Sequence, residues 1–382
     1  MPEYFGKKIP ASFEPVIDRR AIREIAEIEK AWPPKVFPQL LAVPEKIDLS
    51  ENLHFVRCQM GAGCWGYSML AVWDIMNEMA CPYSPNLSMR LWMMMHRRRE
   101  LWENQGGISS PDGRFHKMKT PEFGFLQSFG NPTEGTELTL HNYPSLWPDG
   151  GWSREGVDEA DNYRLKSEPQ KINVASQDFI SSLLQGKPIR LGIGYTDPDP
   201  NKSWGHFVAI VGYDKTAKTF KYVNSVGDNW GQDGFGTYTF QEIDNHKAGV
   251  IDLDSAEIVE ICPPKPVPAA RISFKHTNRS NVHLRLSAEN SPLPKNKIWP
   301  QGWDENSRNL SFTVRLPSEF IWPPLPSNRL VLDLFDSAEF SNSGGKLEEF
   351  TAAFGGHVLK CSALSNGPVS FNPLDHQCFH IP

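Results

Sequence analysis

From Cys64 to about Met79 the apolar residues Trp65, Met69, Val72, Trp73 and Met76 recur at helical intervals, which predicts an amphipathic helix with the cysteine at its start. The same period predicts a helix over Ser88 to Trp102, another over Ser176 to Gln185 ended by Gly186, Lys187 and Pro188, and a helical stretch around Ala21 to Ala31. After Pro188 the period changes from helical to alternating. Ile189 to Tyr195, His206 to Tyr213, Thr219 to Asn224 and Gly236 to Phe240 are rich in β-branched or aromatic residues and bounded by Gly, Asp or Asn turns, so they read as strands. Helices first and strands second predict an α+β arrangement.

Length and composition divide the chain further. At 382 residues it exceeds the size at which one hydrophobic core keeps growing, so two domains are expected. Residues 1–43 are charged and punctuated by proline and read as an N-terminal extension. The run Pro-Pro-Lys-Pro-Val-Pro within 263–270 predicts a stiff linker between a first domain at 44–262 and a second at 271–382. In the second domain, Arg271 to His276, Val282 to Ser287, Leu310 to Leu316, Leu330 to Phe335 and Phe350 to Phe354 alternate as short strands, the pattern of an all-β sandwich.

Charge and cysteine usage exclude some classes of function. A net charge of -6 with no long basic block argues against a nucleic-acid partner, and His96 to Arg99 reads as a solvated helix face. Hydrophobic residues at 39% and charged ones at 22% are ordinary globular usage. No window approaches the roughly 18–20 apolar residues of a membrane span. The N-terminus lacks the apolar stretch of a secretory signal, so a cytoplasmic location is expected. Six cysteines without a CxxC pair suit free thiols. Neither metal nor cofactor is expected: His276, His283, His357, His376 and His380 are scattered, and the oxygen-rich stretch Asp333, Asp336, Glu339, Asn342 reads as a polar turn before it reads as a Ca²⁺ loop.

The chemistry concentrates at three places. A thiol is a nucleophile as thiolate, and a helix N-terminus with a nearby imidazolium stabilises that anion. Cys64 opens its helix in Gln59-Met-Gly-Ala-Gly-Cys64-Trp65, where glycines let the backbone turn sharply. Far downstream come Trp204-Gly-His206 and Asn224-Ser-Val-Gly-Asp-Asn-Trp230-Gly; a histidine near the start of one strand and an asparagine ending the next can sit side by side.

These three motifs, in this order, resemble the papain-like (C1) cysteine peptidases. The resemblance spans roughly residues 44–262, and His206 follows Cys64 at about the family's separation of roughly 130–150 residues, with Asn224 slightly beyond. It implies a two-lobed fold, a helical lobe against a β-barrel-like lobe, and hydrolysis of a protein or peptide substrate. Cys64 is then the nucleophile that forms a thioester, His206 the general base and acid, and Asn224 the residue that orients the imidazole by accepting from or donating to it. Gln59 is the implied oxyanion-hole donor beside the Cys64 N–H, with Gly61, Gly63, Trp65, Gly205 and Trp230 along the substrate cleft. Trp230 either shields the Asn–His pair from water or is an ordinary core tryptophan.

The chain departs from the family pattern in places. The Gln59–Cys64 spacing is one residue shorter than usual, a Gly61-Ala62-Gly63 run replaces a customary cysteine, and Val226 stands where a tryptophan is common. Cys58 reads either as a buried thiol or as a redox partner that caps Cys64 as a disulfide. The same nucleophile and base also suit a thioester-forming amidase, peptide ligase or acyltransferase, and the fold alone suits a non-catalytic binding protein. The second domain is expected to dock against the first, to steer substrate or to hold a partner.

Overall fold

The structure, a computed structural model, describes residues 3–4, 7–8, 43–54, 56–57, 64–87, 162–167, 169–196, 204–276, 282–288, 296–298, 309–316, 330–336, 345–354, 357–365, 367–371 and 376–381. The helices expected at 21–31 and 88–102 lie outside these residues, as do Cys58, Gln59, Gly61 and Gly63. In the N-terminal extension, β1 (Glu3–Tyr4) pairs with β2 (Lys7–Lys8).

The first domain sets helices against one antiparallel sheet. Its strands are β3 (Lys46–Asp48), β4 (Gln170–Ile172), β5 (Ile189–Tyr195), β6 (Trp204–Asp214), β7 (Thr219–Val223), β8 (Phe235–Thr239), β9 (Lys247–Ala248) and β10 (Ile251–Ile258). Their order is β4-β10-β5-β6-β7-β8, with β3 on β6 and β9 on β10. Helix α1 (Cys64–Ala80) packs on β6, while α2 (Ser176–Leu184) and α3 (Phe240–Asp244) complete the described α-helices. Phe179 of α2 meets Phe220 of β7 edge to face at 5.4 Å, an arrangement aromatic rings favour.

Helix α1 corrects the amphipathic reading. Every residue from Cys64 to Ile75 is buried, and so is Asn77. A helix enclosed on all sides has no solvent face to carry its polar residues, so Ser68, Asp74 and Asn77 are buried with the rest. Asp74 therefore needs internal partners.

In the second domain the strands are β11 (Ala269–Lys275), β12 (Val282–Ala288), β13 (Asn296–Ile298), β14 (Asn309–Arg315), β15 (Leu330–Asp336), β16 (Gly345–Phe354), β17 (His357–Lys360), β18 (Val369–Phe371) and β19 (His376–Ile381). One sheet runs β14-β11-β16-β17 with β18 also on β16, and the other runs β13-β12-β15-β19. Alternate residues from both sheets, such as Ile272 and Phe274 on β11 and Leu332 and Leu334 on β15, share one apolar core. Two antiparallel sheets burying alternate residues between them form a sandwich. Asp333 of the oxygen-rich stretch is buried in β15, while Glu339 and Asn342 lie outside the described residues.

The proline-rich connector is tied down. Asn162 donates from Nδ2 to the Lys265 carbonyl at 3.0 Å and accepts from the Lys265 N–H at 2.9 Å. A second contact joins the domains where Arg271 of β11 meets Glu78 of α1 at 2.8 Å, with its guanidinium 4.3 Å above the Tyr83 ring.

Candidate functional site

Strand register brings the histidine and asparagine together. In the β6–β7 ladder Ala209 faces Val223, so Asn224, one residue beyond β7, lies toward the His206 end of β6. His206 Nε2 is 2.8 Å from Asn224 Oδ1. The same oxygen accepts from the Ser225 backbone N–H at 2.8 Å. Because a backbone N–H can only donate, the atom facing it is the carboxamide oxygen, and His206 Nε2 must carry the proton toward it. Nδ1 is then the nitrogen that exchanges a proton in the neutral ring.

The loop that carries Asn224 folds back on itself. Asn224 N–H donates to the Gly234 carbonyl at 2.9 Å, and Gly234 N–H donates to Trp230 at 2.7 Å. Gly234 has φ +88, and a Cβ there would meet Val56 Cγ1 at 2.5 Å, so this turn against the segment before Cys64 requires glycine.

Cys64 begins α1 and is buried. The backbone N–H groups of Phe207 and Trp65 favour the charged form of its sulfur, so the thiol lies against the residue after His206. Burial pushes the thiol's pKa up and outweighs those donors and the Arg190 cation. Burial pushes the His206 imidazole down, against the bond it donates to Asn224. Both shifts run toward the neutral thiol and the neutral imidazole. Among the described residues, a small pocket lies beside Asn224, lined by Arg57, Ser68, Phe207 and Ser225 among others.

Residues 114–246 match the family described as the Peptidase_C39 like family. The matched stretch holds both His206 and Asn224. The family match covers this stretch and not the whole chain. No curated protein matches the chain. Among solved structures, xylellain, a cysteine protease from Xylella fastidiosa, is similar at 18% identity over 57% of this chain and 87% of its own, with a TM-score of 0.42. The bromelain protease from Ananas comosus is similar at 15% identity over 57% of this chain and 100% of its own, with a TM-score of 0.39. The clostridial cysteine protease Cwp84 is similar at 12% identity over 88% of this chain and 98% of its own, with a TM-score of 0.34.

Cys64 lies before the matched segment in sequence and meets it in space at Phe207. Of the expected cleft residues, Trp65 is buried at 2% exposure, which makes it a packing residue of α1 and no part of an open cleft wall. Gly205 is exposed beside His206. Trp230, at 36% exposure, is not a core tryptophan; its ring lies 5.8 Å from that of Tyr222. Cys64, Cys81, Cys262 and Cys361 are free thiols.

Arg190 was not singled out by sequence. It sits on β5, buried at 6% exposure, with its guanidinium 4.1 Å from the Phe207 ring centroid and 2.7 Å from Glu257. Its charge interacts with Cys64. The signal available in sequence was an arginine in the otherwise apolar run Ile189-Arg-Leu-Gly-Ile-Gly-Tyr195, since a charge inside a buried strand needs a partner.

Proposed function

We propose that the protein is a cysteine peptidase in which Cys64 attacks a peptide carbonyl and His206, oriented by Asn224, moves the protons. The observation that carries this reading is the 2.8 Å bond between His206 Nε2 and Asn224 Oδ1, formed beside a cysteine whose sulfur rests on the Phe207 amide. With Nε2 committed to Asn224, Nδ1 takes the thiol proton as sulfur bonds to the carbonyl carbon. Collapse of the tetrahedral intermediate breaks the C–N bond, and Nδ1–H protonates the leaving amine. Water, deprotonated by the same nitrogen, then attacks the thioester and releases the acid and the thiol. On this reading His206 acts as the general base during attack. Gln59 and the Cys64 N–H serve the oxyanion on this reading.

Intact-mass labelling with a peptidyl epoxysuccinate, comparing wild type with Cys64→Ala and His206→Ala, tests it. The expected result is one adduct, at Cys64, formed roughly 10²-fold or more slowly in His206→Ala, the usual contribution of a positioned base. Adducts spread over several cysteines at rates indifferent to His206 would overturn the reading.

A further inference from the structure

The outer edge of the β-sandwich is joined to the first domain by one asparagine. Among the described residues strand β14 is the last of its sheet, and no described strand pairs the outward backbone groups of Thr313. Asn86 takes both: its backbone N–H donates to the Thr313 carbonyl at 2.8 Å, and its Oδ1 accepts from the Thr313 N–H at 2.7 Å. The other end of the same carboxamide, Nδ2, donates to Asp74 Oδ2 at 3.1 Å. Asp74, inside α1, also accepts from the Leu87 N–H at 3.0 Å and pairs with Arg57 at 2.7 Å. Arg57 donates to the Leu87 carbonyl at 2.9 Å, and its own carbonyl accepts from the Gly227 N–H at 3.2 Å. Arg57, Asp74, Asn86 and Thr313 are exposed by 5% or less.

This chain of contacts ends at the candidate site. Gly227 is three residues after Asn224, Arg57 is seven residues before Cys64, and Arg57 and Asn224 line the same small pocket. Asp74 is ten residues after Cys64 on the same rigid helix. We propose that the β-sandwich is a working part of the peptidase site: through Asn86, the buried Asp74–Arg57 pair fixes the Asn224 loop relative to Cys64. Asn86, Asp74 and Arg57 are positioning residues, none of which meets the reacting atoms. The proposal rests on the peptidase reading for its consequence in activity, and on geometry alone for the coupling itself.

The two parts are read separately in the full-length protein. Hydrogen exchange by mass spectrometry on Asn86→Ala reports the coupling, with Lys275→Ala, which breaks an exposed pair with Glu348 on the same domain, as the control. Exchange in 224–234 is expected to speed up about tenfold in Asn86→Ala and to stay unchanged in Lys275→Ala, with Cys64 labelling by the epoxysuccinate slowed by a similar factor. A merely structural asparagine would loosen 81–87 and β14 and leave both 224–234 and the pH profile of labelling as in wild type, which would overturn the proposal. Asn86→Asp keeps the acceptor for the Thr313 N–H and loses the donor to Asp74, so it gives the same reading if the alanine variant fails to fold. Wild-type labelling no faster at Cys64 than at other thiols counts against the peptidase reading alone, and the exchange result still decides the coupling.

Discussion

One carboxamide oxygen, Asn224 Oδ1, accepts from both His206 Nε2 and the Ser225 backbone N–H, each at 2.8 Å. The second bond keeps the first from reversing: a flipped carboxamide would face the Ser225 N–H with another donor. The orientation of Asn224 thus sets the tautomer of His206 and leaves Nδ1 as its base.

Asn224→Ala removes the acceptor and frees the ring to take either tautomer. Turnover of a peptide substrate should fall by about 10²-fold, mainly in kcat, because the loss is in proton transfer more than in binding. Nitrogen NMR of the imidazole should show a mixture of protonated Nδ1 and Nε2. A single Nε2–H tautomer in the variant would contradict the assignment.

The pH dependence follows from burial at the pair. The Cys64 thiol is raised by burial, so its alkylation by iodoacetamide should be slow near pH 5 and climb with pH. His206 is lowered, so the folded state binds fewer protons than the unfolded one. Its contribution to stability is therefore present above the unfolded pKa of about 6.5 and lost as pH falls through the folded value. Denaturant midpoints should decline below that unfolded value, and less steeply in His206→Gln.

Arg190→Met should act on reactivity and stability by separable routes. Removing one member of the Arg190–Glu257 pair leaves a carboxylate with less compensation, costing about 2–4 kcal/mol. Adding Glu257→Gln should restore most of that loss. Reactivity should not recover, since the cation that lowers the Cys64 thiol is still missing. Urea denaturation and Cys64 alkylation rates on the two variants make the comparison, and restored alkylation in the double variant would refute a role for the charge.

Gly212→Ala tests the attachment of β3. A Cβ at Gly212 would stand 2.5 Å from the Ile47 carbonyl oxygen, a backbone atom that moves only with its strand. Destabilisation of about 1–3 kcal/mol is expected, with loss of amide protection in 46–48.

Much of this was legible in sequence because local patterns carry it. Alternation and turn residues placed the ends of β5, β6, β7 and β8 within two residues of where they lie, and the His206–Asn224 meeting followed from two adjacent strands. What escaped was burial and long-range pairing. Asp74 interrupts an apolar helix and is enclosed with Arg57, which is 17 positions earlier, and with Asn86. The partner of Asn86 is 227 positions away, and no periodicity links Asn86 to Thr313. Arg190 was hidden for the same reason, its carboxylate partner being 67 positions further on.

The clasp of Asn162 on Lys265 bears on how the chain comes apart. A proline-rich spacer normally lets its two flanking units melt independently, each at its own temperature. Here the spacer is hydrogen-bonded to the first domain at one end, and the second domain is fastened at Asn86 and Glu78 at the other. Loss of structure in either unit strips partners from its neighbour, so a calorimetric scan is expected to show one transition in place of two.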